Sequence, residues 1–555
     1  MSETLQARAW GKSAEGAVAW WKSAPLLGSE SLILLCSLLF TVCSNGAFWH
    51  AALSSPLQQW RLALALFLMV TAVHAFLLGL VVNRWTAKPL LSVLLLVTAA
   101  AAHYMNAYGV YVDADMLRNV LHTDSKESGE LLTWGLLMPL IITLIPVALL
   151  WRTRLARRTW ARAALIRVAF LVGMVLVGGA GFLMSAQGVS SLVRNHREVR
   201  YLVAPANYIV SLVNVLHASP PGPKHALLPV GLDAVQTPRP ADSRPRLLVL
   251  VVGETVRAQN WGLNGYARQT TPELSRIDGL VNFSDMAACG TSTEVSLPCM
   301  FSSYGRRNYD ETYIRSHQSL LHVLDHAGVG VLWRDNQSGC KGVCEGLQTQ
   351  RLADSKDAEL CNGKRCLDGI LLAGLAAQLS PLQGDRVVVL HQLGNHGPNY
   401  FERYPTAFKR FTPTCDSPEL DQCQREEIVN AYDNAVSYTD HFLAQTVGFL
   451  KSQHDYDTAM VYVSDHGESL GEKGLFLHGV PYAIAPKEQT HVPMVMWFSP
   501  GFQANALLDM DCLNREATQP ASHDNLFASV LGLMQVSTGE YRQSQDLFAS
   551  CRRPG

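Results

Sequence analysis

Charge is scarce in this chain, and neither sign prevails. Asp, Glu, Lys and Arg make up 16% of 555 residues, with 46 acidic against 45 basic residues and a formal net charge of -1. That balance excludes a strongly basic nucleic-acid binder and a strongly acidic tail. Internal repeats and low-complexity tracts are missing too, which excludes a repeat array. Cysteine is absent between Cys43 and Cys289, and no C-x-x-C pair occurs. What the chain has instead is apolar content. A mean hydropathy of +0.09 is unusual for a soluble protein, and the length exceeds what one core supports. A membrane portion joined to a globular portion accounts for both.

Five apolar runs, near 31–53, 62–83, 88–108, 131–151 and 164–185, meet the bilayer requirement of about 20 residues. All lie in the first third of the chain, which argues against buried helices of one large soluble core. The first run is too long and too far along the chain for a signal peptide, and no small-residue cleavage site follows it. Arg84 and Lys88 lie between the second and third runs, and RTRLARRTWAR occupies 152–162 between the fourth and fifth. The loops 54–61 and 109–130 carry few basic residues, and the second is acidic. Basic loops stay cytoplasmic. The N-terminus is therefore expected in the cytoplasm, and everything after about residue 186 outside.

Cysteine usage agrees. Cys36 and Cys43 lie seven apart on one face of the first run and read as buried apolar thiols. The other ten cysteines all follow residue 288, and an even count outside the membrane reads as disulfides. Spacing does not fix the connectivity, although short intervals favour neighbours. The expected bridges are Cys289–Cys299, Cys340–Cys344, Cys361–Cys366 and Cys415–Cys423, with Cys512–Cys551 by elimination.

The segment 190–217 mixes Arg194, Arg197 and Arg200 with Tyr201, Tyr208 and aliphatic residues. It fits an amphipathic helix on the membrane surface as well as an ordinary packed helix. PPGPK at 220–224 and TPRPADSRP at 237–245 suit an extended linker. The expected divisions are a cytoplasmic N-terminus over 1–30, a five-helix transmembrane domain over 31–185, a bridging segment over 186–245 and an extracytoplasmic domain over 246–555. In the last, LLVLVV (247–252), VGVLW (329–333), VVVLHQ (387–392), MVYVS (460–464) and VPMVMWF (492–498) read as buried strands. Helical segments at 320–327, 367–379 and 425–452 alternate with them, so the fold class is an α/β/α sandwich with a mostly parallel sheet. Sites in such sheets lie just past strand C-termini.

Polar clusters stand at those positions. Glu254 follows the first strand, Asp465 and His466 follow MVYVS, and His396 and His478 lie downstream of strands in HQLGNHGP and FLHG. Carboxylate and imidazole groups from separate strands suit zinc. Taken singly, such a Glu is more often a helix cap and a lone His a satisfied polar group. Between two cysteines, CGTSTEVSLPC at 289–299 sets a run of hydroxyls. Thr291, Ser292, Thr293 and Ser296 compete there for the part of a nucleophile.

GET at 253–255, CGTSTEVSLPCMF from 289, WRDNQSG from 333, HQLGNHGP at 391–398 and SDHGESLGE at 464–472 together resemble the lipid A phosphoethanolamine transferases. That family includes the mobile colistin-resistance enzymes and belongs to the alkaline phosphatase and sulfatase superfamily. The resemblance runs over nearly the whole chain. It implies Thr293 as nucleophile, and Glu254, Asp465 and His466 as zinc ligands with the Thr293 oxygen completing the set. Lys341, His396 and His478 match residues that hold substrate phosphate or ethanolamine, and sometimes a second zinc. Ser338, Asn119 and Thr123 match substrate-side positions.

The implied reaction moves phosphoethanolamine from phosphatidylethanolamine to a lipid A phosphate through a phosphothreonine, with His396 or His478 as general acid. The implied setting is the bacterial inner membrane, multi-pass, with the catalytic domain of a monomer in the periplasm. A phosphoglycerol transferase is the nearest rival, disfavoured by the ten outer cysteines. A sulfatase would need a C-x-P-x-R sequence, which is missing. Acceptors on the lipopolysaccharide core remain an alternative.

Overall fold

The computed structural model describes residues 24–53, 56, 59–123, 125–218, 227–238, 243–379 and 384–553. Most of the expected N-terminal segment, the PPGPK stretch and part of the second proline stretch lie outside them. The chain divides into two compact units. One holds residues 1–114 and 132–214; the other holds 115–131 and 215–555.

Among the described residues of the first unit, four helices are long and apolar enough to cross a membrane: α3 (Trp60–Val81), α4 (Ala87–Tyr108), α7 (Trp134–Arg152) and α8 (Trp160–Met184). A bent pair, Ser29–Ser44 with Gly46–Ala52, makes a fifth crossing if its halves count as one span, the two axes differing by 64°. We label α1 Ser29–Leu39 and α2 Gly46–Ala52; a π turn, Phe40–Ser44, joins α1 to the break. Asn45 fills the break, its amide donating to the carbonyls of Phe40 and Ala204. The wider π turn shifts the helical phase. Cys36 is therefore buried while Cys43 is exposed, against the expectation that both thiols are buried on one face. Small residues let α8 approach α3: a Cβ at Gly181 would lie 2.9 Å from the carbonyl oxygen of Ala65.

Two short helices, α5 (Ala114–His122) and α6 (Ser125–Leu131), fall in sequence between α4 and α7. From residue 115 onward they nevertheless group with the second unit. That unit is built on an eight-stranded sheet. In chain order the strands are β1 (Arg246–Gly253), β2 (Val281–Ala287), β3 (Gly330–Asp335), β4 (Gln348–Arg351), β5 (Arg386–His391), β6 (Asp457–Ser464), β7 (His491–Phe498) and β8 (Ala521–Ser522). The order across the sheet is β8-β2-β7-β6-β1-β5-β3-β4. Among these strands β7 alone runs against its neighbours β2 and β6; the other pairs are parallel. Every residue of β1 and β6 is buried, as central strands covered on both faces require. β1 and β6 pair in register from Arg246–Asp457 to Gly253–Ser464. Glu254 and Asp465, each one residue further on, therefore emerge side by side.

The five expected disulfides form. Cys289–Cys299 closes the loop leading into α11 (Thr293–Met300) and clasps that helix. Counting from the N-terminus, α9 is Ala186–Asn195 and α10 is Ala206–Ala218. The expected amphipathic segment thus spans two helices separated by a 3-10 turn, Arg197–Leu202. Beyond α11 come α12 (Glu311–Ser316), α13 (Leu320–His326) and the long α14 (Arg425–Lys451).

Candidate active site

Thr293 opens α11, with Ser292 in the extended N-cap conformation. The first-turn amides of a helix have no intrahelical acceptor and carry a partial positive charge. The hydroxyls that compete by sequence separate here. Thr291 donates to the carbonyl of Val480 and Ser296 to that of Asp465. The Thr293 hydroxyl lies 2.9 Å and 3.1 Å from the two carboxylate oxygens of Glu254, and 3.3 Å from His466 Nε2.

Glu254, Asp465 and His466 are fully buried, and one ligand atom from each lies within 4.8 Å of the others. His466 donates from Nδ1 to the carbonyl of Gly467 at 2.9 Å, which aims Nε2 at the carboxylates, where it donates to Glu254 when protonated and offers a lone pair to a metal when not. Asp465 Oδ1 accepts from the amides of Thr255 and His466, while Oδ2 makes no hydrogen bond although buried. Burial, and after it the charge of Glu254, pushes the Asp465 carboxyl above its ordinary range. Burial works against the charge of Glu254 too, yet the hydrogen bond and charge of His466 hold that carboxyl well below its usual range. Two carboxylates sharing a dry site repel each other unless a cation lies between them. The orphaned Asp465 oxygen and the oriented imidazole make this a donor set that fits a small divalent ion such as zinc.

The loop after β5 closes over this cluster. Gly394 has φ +53, and a Cβ there would stand 2.7 Å from the Glu254 carbonyl, so the approach requires glycine. Asp368 anchors the same loop by accepting from the amides of Leu393 and Gly394. His396 follows. Its Nε2 pairs with Glu127 Oε1 of α6 at 3.2 Å, and Arg403 Nε donates to its carbonyl at 2.7 Å. Burial disfavours the His396 imidazolium, but the adjacent Glu127 carboxylate overrides this and raises its pKa. His478 donates from Nδ1 to Glu468 at 2.8 Å. Its ring centroid lies 4.5 Å from that of His466 and 5.6 Å from that of His396. The two histidines thus flank the cluster.

Lys341, at φ +49 inside the Cys340–Cys344 loop, places Nζ 3.7 Å from Glu294. Ser338 is half-buried beside Gln337, to whose side-chain oxygen its amide donates. Asn119 and Thr123 do not join the cluster through the bond they make. The Thr123 hydroxyl donates to the Asn119 carbonyl at 2.7 Å, at the end of α5.

Four further residues escaped the sequence reading. Gln337 donates from Nε2 to Glu254 at 3.0 Å. Asp368 holds the Gly394 loop. His523 accepts from the Cys289 amide and donates to the Ser464 carbonyl, tying the disulfide loop to the end of β6. Its burial pushes its pKa down to about 3. Glu127 faces the histidines: burial opposes its charge, but the positive charge on His396, with Lys341 and His478 beyond it, holds its carboxyl at about 2. The only sequence signal among them was Gln337, within the quoted WRDNQSG stretch.

A threonine at a helix start beside buried strand-end carboxylates, on a mixed sheet joined to apolar helices, defines a sulfatase-type catalytic domain carried by a membrane portion. The family model described as Sulfatase matches residues 246–536, and one described as Phosphoethanolamine transferase EptA/EptB matches 70–219. The chain is 37% identical over 548 residues to phosphoethanolamine transferase EptA of Escherichia coli strain K12, covering 95% of this chain and 98% of that protein. It is 40% identical over 426 residues to phosphatidylethanolamine transferase Mcr-1 of Escherichia coli, covering 75% and 79%. The solved integral membrane lipooligosaccharide phosphoethanolamine transferase A from Neisseria meningitidis superposes with a TM-score of 0.90 at 38% identity, over 96% of this chain and 100% of that one. The chain belongs to the phosphoethanolamine transferase family, a family of transferase enzymes.

Proposed function

We propose that this protein transfers phosphoethanolamine from phosphatidylethanolamine to a phosphate of lipid A by way of a phosphothreonine at Thr293. The observation that carries the reading is the Thr293 hydroxyl, 2.9 Å from Glu254 and 3.3 Å from His466 at the start of α11. Glu254, Asp465, His466 and the Thr293 oxygen would hold zinc. When bound, zinc brings the threonine hydroxyl toward its alkoxide and offsets charge on the phosphate.

The side chains supply the rest. The Thr293 hydroxyl gives up its proton to solvent, its oxygen attacks the donor phosphorus, and the bond from phosphorus to the diacylglycerol oxygen breaks. His396 or His478, as imidazolium, gives that leaving oxygen a proton. The first-turn amides of α11 and Lys341 receive the phosphate oxygens, and the Glu127 carboxylate is placed to meet the ethanolamine ammonium. A lipid A phosphate oxygen then attacks the phosphorus of the phosphothreonine, the bond from phosphorus to the Thr293 oxygen breaks, and that oxygen takes a proton from solvent. Ser338, Asn119 and Thr123 belong to the substrate side of this reading.

The same reading sets the protein in the bacterial inner membrane as a monomer with five spans, counting the bent pair as one. The catalytic domain from residue 246 then stands in the periplasm, and 186–245 bridges to it. Mass spectrometry of lipid A from cells lacking or expressing the protein tests the acceptor. Expression adds phosphoethanolamine to lipid A and raises tolerance to polymyxin-type cationic peptides; Thr293→Ala does neither. Unmodified lipid A beside a newly modified core sugar overturns the acceptor.

A further inference from the structure

Glu294 follows Thr293 directly, and its side chain is 1% exposed. A carboxylate buried one residue from a group that attacks a phosphate is electrostatically adverse unless it is paired. Its pairing is lopsided. Oε1 lies 2.9 Å from an Arg315 guanidinium nitrogen and 2.8 Å from His122 Nδ1. The same arginine donates to the Glu294 backbone carbonyl at 2.9 Å. Oε2 makes no hydrogen bond and has Lys341 Nζ at 3.7 Å. That distance is too long for a hydrogen bond but short enough for strong attraction away from solvent.

The pairing continues outward. Arg315 Nε meets Glu311 at 2.9 Å, and Arg118 of α5 pairs with Glu311 and, at 3.1 Å, with Asp115. Charges therefore alternate from Asp115 through Arg118, Glu311 and Arg315 to Glu294 and Lys341. α5 reaches the residue beside the nucleophile both through this chain and directly through His122.

We infer that Glu294 is a positioning residue for the transfer: it holds Lys341 at the residue next to Thr293, ready for the donor phosphate, and ties that lysine to the seating of α5. The inference rests on the reading of Lys341 as a phosphate ligand given above. A phosphate oxygen takes Lys341 from Glu294, because a charge-assisted hydrogen bond forms at a shorter distance than the resting 3.7 Å pair. Glu294 keeps Arg315 when that happens, so no buried charge is left alone.

The test is a double-mutant cycle on purified full-length protein with phosphatidylethanolamine in mixed micelles. Glu294→Gln is expected to raise KM for the donor about 10-fold with kcat within about twofold, a loss of positioning rather than of chemistry. Glu294→Asp recovers most of the loss. In a Lys341→Ala background, Glu294→Gln changes nothing further. His122→Ala, at a side chain 54% exposed, raises KM about 2-fold to 3-fold and carries the test if Glu294→Gln does not fold. An unchanged KM in both variants overturns the inference, as does an equal loss with and without Lys341. Wild-type kinetics in Lys341→Ala alone would instead sink the phosphate-ligand reading, and this inference with it.

Discussion

A threonine hydroxyl is a weak nucleophile in water, and the residues around Thr293 change its surroundings rather than its nature. Glu254 and Asp465 face each other without solvent, one held charged by His466 and the other pushed toward its neutral form. A divalent ion relieves that conflict, so the ligand set should depend on charge more than on shape. Asp465→Asn keeps the shape and removes the charge; bound zinc in the purified protein should fall roughly 10-fold or more. Undiminished zinc by elemental analysis would remove Asp465 from the ligand set. Glu254, Asp465 and His466 stand out locally because each follows a short apolar run, and the resemblance of the surrounding motifs is what marks them as ligands. Gln337, Asp368 and His523 were not legible. Asp368 sits in a 3-10 turn, and His523 lies 234 positions from its partner Cys289. Only the folded chain shows what such residues touch.

The elements were legible in proportion to their apolar content. β1, β3, β5, β6 and β7 are nearly continuous apolar runs and read as strands. β4 is QTQR with exposed side chains, β8 has two residues, and β2 mixes polar residues into VNFSDMA, so none carries a burial pattern. The grouping of α6 with the catalytic unit was also hidden, because a short acidic helix between two spans looks like any solvated loop. Its attachment is ionic: Glu130 meets Arg403 at 2.6 Å and Arg365 at 2.9 Å, and Glu127 meets His396. The Glu127 pKa falls from 4.5 to about 2, so its contribution is complete above about pH 4.5 and is lost as pH falls toward 2. The His396 pKa is raised above 6.5, so its contribution is complete below about pH 6.5 and is lost as pH rises through the raised value. Seating of α6 should therefore be firmest between those limits. Hydrogen-exchange protection of residues 125–131 should decline toward alkaline pH, and Glu127→Gln should flatten the profile. Identical profiles for both proteins would show that this pair does not seat the helix.

At the scale of the molecule, two units of different solvent preference share one chain, and the boundary between them does not follow the sequence. The apolar runs announced the membrane portion, since a bilayer demands length and hydrophobicity that few other contexts require. They could not announce the break at Asn45, which arises from a π turn and a buried amide rather than from composition. In the chemistry proposed, donor and acceptor are both lipids, which gives a threonine carrier joined to apolar helices its use. Purified full-length protein is incubated with phosphatidylethanolamine and no acceptor, quenched in acid and digested, and its peptides are weighed. One phosphoethanolamine is expected on the disulfide-closed peptide containing Thr293, removed when lipid A is supplied before the quench and absent from Thr293→Ala. Transfer to lipid A by Thr293→Ala protein, or the added group on another residue, would contradict the threonine carrier.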